Sequence, residues 1–435
     1  MTTPIYDFVK KYSESEITRF HMPGHKGRGE LGCERFDITE ISGADVLYSA
    51  DGIINESENN LSSMYGTAHS FYSTEGSTLA IKAMLSLVCR MDSDERAVIL
   101  AARNVHSAFI KSAALLDFDV EWIYSSRPSH LCRCEITAVD VESKLSSMKS
   151  LPVAVYLTSP DYLGNLLDIK AIADVCDKYN IPLLVDNAHG AYLKFLPEDI
   201  HPISLGAAMC ADSAHKTLSV LTGGAYLHVS KKYESFAERA REALLLFAST
   251  SPSYLTLASL DLCNKTLSED YTNRLCETVK RVDEIKEKIR SYGIDLCESE
   301  PLKIVIHDGK IANHLAKNNI EVEFSDKDYT VLMVTPENTE SDFDRLIGAV
   351  KGYESTDEKS EIFPVTPHTR AISIRRAMFS PSEVIAVEDA SGRICASPTV
   401  SCPPAVPIVI SGEIITDEDV KTFKHYGINR ISVVK

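Results

Sequence analysis

From about residue 66 to 245 the apolar positions fall into short unbroken runs separated by longer amphipathic stretches. The runs Ala97–Ala101, Val120–Tyr124, Val153–Thr158, Leu183–Asp186, Ala207–Ala211 and Ala225–Val229 are continuous rather than alternating. Strands with that pattern are covered on both faces, as in a parallel sheet. Between them, Thr78–Cys89, His106–Leu116 and Leu167–Tyr179 have helical spacing. The alternation predicts an α/β fold with a mostly parallel sheet flanked by helices. Ligands of such sheets sit beyond the carboxyl ends of the strands.

The pattern changes outside this region. Residues 1–65 are rich in Gly, Ser, Asn and Asp, with little periodicity beyond a helix near Ile5–Ser13, and read as an N-terminal arm. Residues 66–260 form the expected large domain, which ends in the turn-rich Phe247–Tyr254. Residues 261–358 read as a smaller α/β domain. It has a charged helix at Glu277–Tyr292, strands at Leu302–His307, Ile320–Phe324 and Thr330–Val334, and helices around Ile311–Lys317 and Thr339–Tyr353. Ser355–Glu361 reads as a linker, and 362–435 as a short C-terminal domain containing Val384–Glu388 and Pro403–Ile410. No internal repeat is visible.

A chain of 435 residues is too long for one small core, which supports this division. The net charge of −17 argues against nucleic-acid and anionic-membrane partners and suits a cationic substrate. No apolar run approaches bilayer length, and the first residues carry no basic-then-apolar leader. Eleven scattered cysteines read as reduced thiols packed in cores, and hence as a cytoplasmic protein. Cys132 and Cys134 have no second pair at metal-site spacing, and His21 and His25 lack a third ligand nearby. No metal is expected.

The candidate chemistry sits at strand ends. Val185-Asp-Asn-Ala-His189 follows one buried run, and Ser213-Ala-His-Lys-Thr217 follows another. Alone, Asp186 reads as a capping acid on a βα turn and Lys216 as a surface lysine. Together they are the pair a pyridoxal 5'-phosphate (PLP) enzyme needs. The lysine bonds the cofactor, and the acid keeps its pyridine nitrogen protonated. Gly76-Ser77-Thr78 opens a helix and offers amides and hydroxyls to a phosphate, or simply an N-cap. Glu75 beside it would repel a phosphate unless it turns away. His106, in Arg103-Asn-Val-His106, could stack on a flat ring or cap a helix.

These strings resemble the Orn/Lys/Arg decarboxylase major-domain family, whose members are PLP enzymes of fold type I. The resemblance rests on His21-Met-Pro-Gly-His-Lys-Gly27, Asp37-Ile-Thr-Glu40, Gly76-Ser-Thr78, Arg103-Asn-Val-His106, Val185–Gly190, Ser213–Leu218 and Thr250-Ser-Pro-Ser-Tyr254. In the tail it rests on Gly392-Arg-Ile394, Pro403-Pro-Ala-Val-Pro407 and Gly412-Glu413. It implies the compact form of the family, without an N-terminal wing. Lys216 would hold the cofactor, Asp186 its pyridine nitrogen, and His106 its ring face. His189 would lie near the ring. Gly76, Ser77, Thr78, Ser213 and His215 would surround the phosphate. The arm with His25 and Lys26 would help build a pocket shared across a homodimer or higher homo-oligomer.

The implied reaction is decarboxylation of a basic amino acid, arginine ahead of lysine and ornithine, as in polyamine biosynthesis. A pocket acid would hold the substrate's distal cation, with Glu383, Glu388, Asp389 and Glu413 as candidates. Several positions depart from the family pattern. Glu75 stands for Asn, Ala80-Ile81 for Gly-Asn, and Pro160-Asp-Tyr-Leu-Gly164 for a Pro-Thr-Tyr-Tyr-Gly string. Thr222-Gly223 stands for Gln-Thr or Gln-Ser, Ala405 for the Gly of Pro-Pro-Gly, and Ser411 for the Pro of Pro-Gly-Glu. Two other readings stay open. One is transamination or lyase chemistry on the same fold, with Arg370, Arg375 or Arg376 holding a carboxylate. The other is a divergent member without turnover.

Overall fold

The computed structural model describes residues 1–89, 96–125, 130–354, 366–397 and 405–435. The linker expected at Ser355–Glu361 and the prolines Pro403 and Pro404 lie outside the described residues. The chain opens with α1 (Pro4–Ser13), α2 (Ile53–Tyr65), β1 (His69–Ser73), α3 (Gly76–Val88), β2 (Val98–Ala102) and α4 (Ser107–Leu116). Next come β3 (Asp119–Ile123), α5 (Ala138–Ser147), β4 (Ala154–Thr158), α6 (Ile169–Lys178), β5 (Leu183–Asp186) and β6 (Met209–Asp212). The single turn α7 (Ala214–Thr217), β7 (Ala225–Val229), α8 (Glu234–Leu245), α9 (Tyr254–Ser268) and α10 (Tyr271–Ser291) follow. The later part holds β8 (Leu296–Cys297), β9 (Lys303–Ile306), α11 (Ile311–Lys317), β10 (Phe324–Ser325), β11 (Thr330–Met333) and α12 (Glu340–Lys351). Last are α13 (Ile374–Phe379), β12 (Ser382–Ala386), α14 (Asp417–His425) and β13 (Arg430–Val434).

These elements gather into two units, Met1–Val88 with Pro182–Cys276, and Cys89–Ile181 with Glu277–Lys435. In the first unit the strands lie in the order β1-β7-β6-β5. β5 and β6 run parallel, while β7 is antiparallel to both its neighbours. Every residue of β5, β6 and β7 is buried, which explains why the sequence shows runs rather than alternation. The arm is more structured than its composition predicts, because α2 buries Ile54, Leu61 and Tyr65. α2 also buries Ser57, Glu58 and Ser62, and those polar residues hide its periodicity. α1 is docked by Asp261 of α9, whose Oδ2 accepts the N–H of Ile5 and of Tyr6, each at 2.9 Å.

The second unit has β4-β2-β3, all parallel, with β3 at the edge. α6 starts where the Asp168 carboxylate accepts the Ala171 N–H at 3.0 Å, and it buries Ile169, Ile172, Ala173 and Cys176. A separate antiparallel sheet runs β10-β11-β9-β8, and β12 pairs with β13. Val282, Ile285 and Ile289 of α10 pack with Ile304, Ile306, Leu315 and Phe343 into the core of the smaller α/β region. The strand expected at Ile320–Phe324 shrinks to Phe324–Ser325. Asn319 takes a left-handed turn at φ 57°, and the pairing of β10 with β11 extends over two residue pairs. Among the described residues no helix is long and apolar enough to cross a membrane. Cys132, Cys134, Cys176, Cys210, Cys263 and Cys395 are buried free thiols, as the sequence predicts.

Candidate active site

Parallel pairing sets Asp186 opposite Ala211, so β5 and β6 deliver their carboxyl ends side by side. Asp186 closes β5 and is 2% exposed, and its Oδ1 accepts the Ala188 N–H at 3.2 Å. β6 runs out at Asp212. Ser213 is then the N-cap residue of α7, which carries His215 and Lys216. The Lys216 Nζ lies 3.1 Å from Nε2 of the buried His189. The two strings that the sequence singles out therefore meet through an amine–imidazole contact, which can pass a proton in either direction.

The phosphate side is built by the turn before α3. The Gly76 N–H donates to the Gly223 carbonyl at 2.7 Å, with Gly76 in the left-handed region at φ 73°. A Cβ on Gly223 would stand 2.8 Å from the Thr74 carbonyl oxygen, so the approach of these two turns requires glycine there. The Ser213 hydroxyl donates to Ser77 Oγ at 2.8 Å. His215 places its N–H at 3.0 Å and its Nδ1 at 2.9 Å from the Gly224 carbonyl. Ser77, Thr78 and Ser213 thus collect at the N-terminus of a thirteen-residue helix. Apart from the adjoining chain and the backbone of its own helix, no atom of the described residues lies within 4 Å of where a Cβ on Gly76 would stand. Thr217 Oγ1, next to Lys216, is buried without a hydrogen-bond partner. Free helix amides, clustered hydroxyls, a buried carboxylate and a lysine fit a phosphorylated pyridine cofactor.

Glu75, the awkward neighbour of this turn, is exposed and committed elsewhere. Its Oε1 accepts the Ser249 N–H at 2.8 Å. His106 lies in the second unit, where its Nδ1 accepts the Ala108 N–H at 3.1 Å and caps α4. In the arm, His25 Nε2 sits 3.1 Å from Asp37, and His21 Nε2 sits 2.6 Å from the Tyr12 hydroxyl. Of the acids considered for a substrate cation, Glu383 pairs with Arg393 at 2.8 Å and Glu388 with Lys424 at 3.0 Å. Asp389 is exposed, and Glu413 is buried 3.4 Å from Arg103. Arg370 pairs with Asp119 at 2.8 Å, and Arg375 donates to the Ala114 and Leu115 carbonyls at 2.9 and 3.1 Å.

The sequence reading missed Asp212. Its Oδ1 accepts from Asn187 Nδ2 at 2.8 Å, and its Oδ2 lies 2.9 Å from His201 Nε2 and 3.3 Å from His228 Nε2. Burial raises its pKa, but the two imidazoles outweigh burial and hold the carboxyl well below the usual carboxylate range. Asp212 fixes Asn187, the residue after Asp186, and so stiffens both strand ends. The signal was an acid closing an apolar run, the same as at Asp186. His201, Cys210 and Asp212 are close enough to share a metal. However, His201 Nδ1 accepts the Ile203 N–H at 3.3 Å, which leaves its proton on Nε2, facing Asp212. The group is a hydrogen-bond network.

A family model described as the Orn/Lys/Arg decarboxylase major domain matches residues 3–336, and one for the C-terminal domain of the same family matches residues 356–428. The chain is similar to the arginine decarboxylase of Bacillus subtilis, with 28% identity over 460 residues, covering 96% of this chain and 92% of that one. In fold it is similar to the lysine decarboxylase of Francisella novicida. There the TM-score is 0.83 at 16% identity, over 100% of this chain and 81% of that one. The serine palmitoyltransferase of Sphingomonas wittichii shares the fold at a TM-score of 0.55 and 15% identity, over 80% of this chain and 82% of that one.

Proposed function

Because the chain belongs to the Orn/Lys/Arg decarboxylase family, we propose that it removes the α-carboxyl group of a basic amino acid as CO2, with arginine preferred to lysine and ornithine. The observation that carries the chemistry is the 3.1 Å contact of Lys216 with His189 on a strand pair that ends in the buried Asp186.

PLP would be the cofactor. When bound, it supplies an electron sink for the pair left behind as the Cα–carboxyl bond breaks. Lys216 would be its covalent anchor. Asp186 would keep a proton on the pyridine nitrogen. Gly76, Ser77, Thr78, Ser213 and His215 would hold the phosphate, and His106 would stack on the ring. His189 would take a proton from the Lys216 amine and return it. One proton is consumed at Cα for each CO2 released. Glu75 does not oppose this reading, since its carboxylate is engaged by Ser249.

The working form would be a cytoplasmic homodimer. The arm supports this: Phe20 is 93% and Leu31 85% exposed in the single chain, an apolar area that a second copy would cover. The matches at 3–336 and 356–428 support a boundary between the smaller α/β domain and the C-terminal domain near residue 358. They are also compatible with an arm to residue 65 and a large domain to residue 260.

The test is to saturate the protein with PLP, fix the cofactor by borohydride reduction and locate it by peptide mass. CO2 release from L-arginine, L-lysine and L-ornithine is then measured. The expected outcome is label on Lys216, fastest release from arginine, and none from Lys216→Ala. Label on a different lysine overturns the site. Bound PLP without CO2 from any of the three overturns the reaction.

A further inference from the structure

Within the first unit, Asp212 stands at the foot of the two turns that carry Lys216 and His189. β6 ends at Asp212, and the turn bearing Lys216 begins at the next residue, where the Lys216 N–H donates to the Ser213 carbonyl at 3.0 Å. β5 ends at Asp186, and the turn bearing His189 begins at Asn187. The Asn187 N–H donates to the Ala211 carbonyl at 3.0 Å, and its carbonyl accepts the Gly190 N–H at 2.8 Å. A Cβ on Gly190 would stand 1.9 Å from Asn187 Oδ1, so the Asn187 side chain shapes this turn. The bond from Asn187 Nδ2 to Asp212 Oδ1, at 2.8 Å, ties one turn to the root of the other.

Asp212 has no room to swing. It is 0% exposed, Cys210 Sγ donates to its Oδ1 at 3.1 Å, and His201 and His228 face its Oδ2 at 2.9 and 3.3 Å. His228 is held in turn, with Nδ1 at 2.8 Å from the Ser70 hydroxyl of β1, which lies 2.8 Å from Thr67 Oγ1.

The donors require a carboxylate at this position. His201 Nδ1 accepts the Ile203 N–H at 3.3 Å, so its Nε2 carries a hydrogen whether or not the ring is charged. Asn187 Nδ2 is also a donor. Position 212 must therefore accept on both oxygens, which a carboxylate does and a side-chain amide cannot. Hydrogen bonds to an ionised acceptor are also the stronger kind.

We propose that Asp212 is a positioning residue for proton exchange between Lys216 and His189. Through Asn187 it fixes the two turns against each other, and so holds the amine and the imidazole at 3.1 Å. Without the tie the turns separate, and a contact of this kind weakens steeply as its distance and angle relax. The proposal rests on the reading of Lys216 and His189 as the reacting pair, and not on a bound cofactor.

The test is a double-mutant cycle read from His189 by NMR, on the full chain without added PLP. Histidine is labelled with 13C, and the His189 resonance is assigned with His189→Gln. Its titration midpoint is then measured with and without Lys216→Met. In the wild type, loss of the amine should move the midpoint by about half a pH unit or more. Asp212→Asn and Asn187→Ala should each cut that movement at least about twofold. Asn187→Ala leaves Asp212 its imidazoles, so it decides the matter if Asp212→Asn does not fold. Combining Asp212→Asn with Asn187→Asp should restore most of the movement, because the exchanged amide accepts from His201 and donates to the exchanged carboxylate. Val9→Ala, a core change in α1, should leave the movement as in the wild type. No movement in the wild type, undiminished movement in Asn187→Ala, or equal loss in Val9→Ala overturns the proposal. None of these results bears on whether PLP labels Lys216, so the cofactor reading is judged separately.

Discussion

Single residues carry the departures of this chain from its family, and at Glu75 the departure is compensated locally. Glu75 would threaten an adjacent phosphate, but its side chain caps the Ser249 amide. Glu75→Gln should therefore leave PLP retention unchanged, read from the visible band after dialysis, since an amide oxygen accepts the same bond. Ala405 has no such remedy. It sits at φ 58°, in the left-handed region, where the resembling family carries glycine, and its carbonyl accepts the Ser107 N–H at 2.9 Å beside His106. A Cβ there costs roughly 1–2 kcal/mol, partly offset by the greater freedom of glycine in the unfolded chain. Ala405→Gly should raise stability by about 0.5–1 kcal/mol, measured as a higher urea midpoint at unchanged slope. Lys216, Asp186 and His189 were legible in the sequence because an ionisable residue after an apolar run is conspicuous. Asp212 obeys the same rule and was missed, because its partners His201, His228 and Asn187 come from separate stretches that only the sheet brings together.

Among elements, those built on continuous apolar runs were readable to within a residue or two, as at β5 and β7. Elements that bury polar side chains were not. α2 holds Glu58 at 0% exposure against Arg241 at 2.6 Å, a contact across 183 positions that no local window contains. The docking of α1 has a measurable signature. Burial raises the pKa of Asp261 to about 6, although the Ser57 hydroxyl and the Tyr6 and Ile5 amides pull it down. A carboxyl with a folded pKa above its unfolded value favours folding when protonated. That contribution is complete below about pH 4 and is lost as pH rises through about 6. Asp261→Asn should flatten the dependence. Between pH 4 and 7.5 the wild type should lose up to about 3 kcal/mol relative to the variant, followed by urea denaturation at each pH.

For the whole molecule, composition argued against classes of partner more than it named any, and the net charge of −17 said little about architecture. The arm makes the testable claim at this scale. Replacing Phe20 and Leu31 by Asp puts charge on the most exposed large apolar side chains among the described residues. Sedimentation should shift from dimer to monomer while the circular dichroism of the fold persists. A double variant that still sediments as a dimer would mean that the arm is not the interface. The interleaving of the two units has a further consequence, for synthesis. Each is assembled from two separated stretches of chain, Met1–Val88 with Pro182–Cys276, and Cys89–Ile181 with Glu277–Lys435. A nascent polypeptide that has reached residue 181 thus holds the opening part of both units and the whole of neither. The ribosome must pass residue 276 before the unit bearing Lys216 can close, and must go well beyond it before the other can. A chain cut short before residue 276 leaves both units incomplete, with apolar surface exposed that favours aggregation.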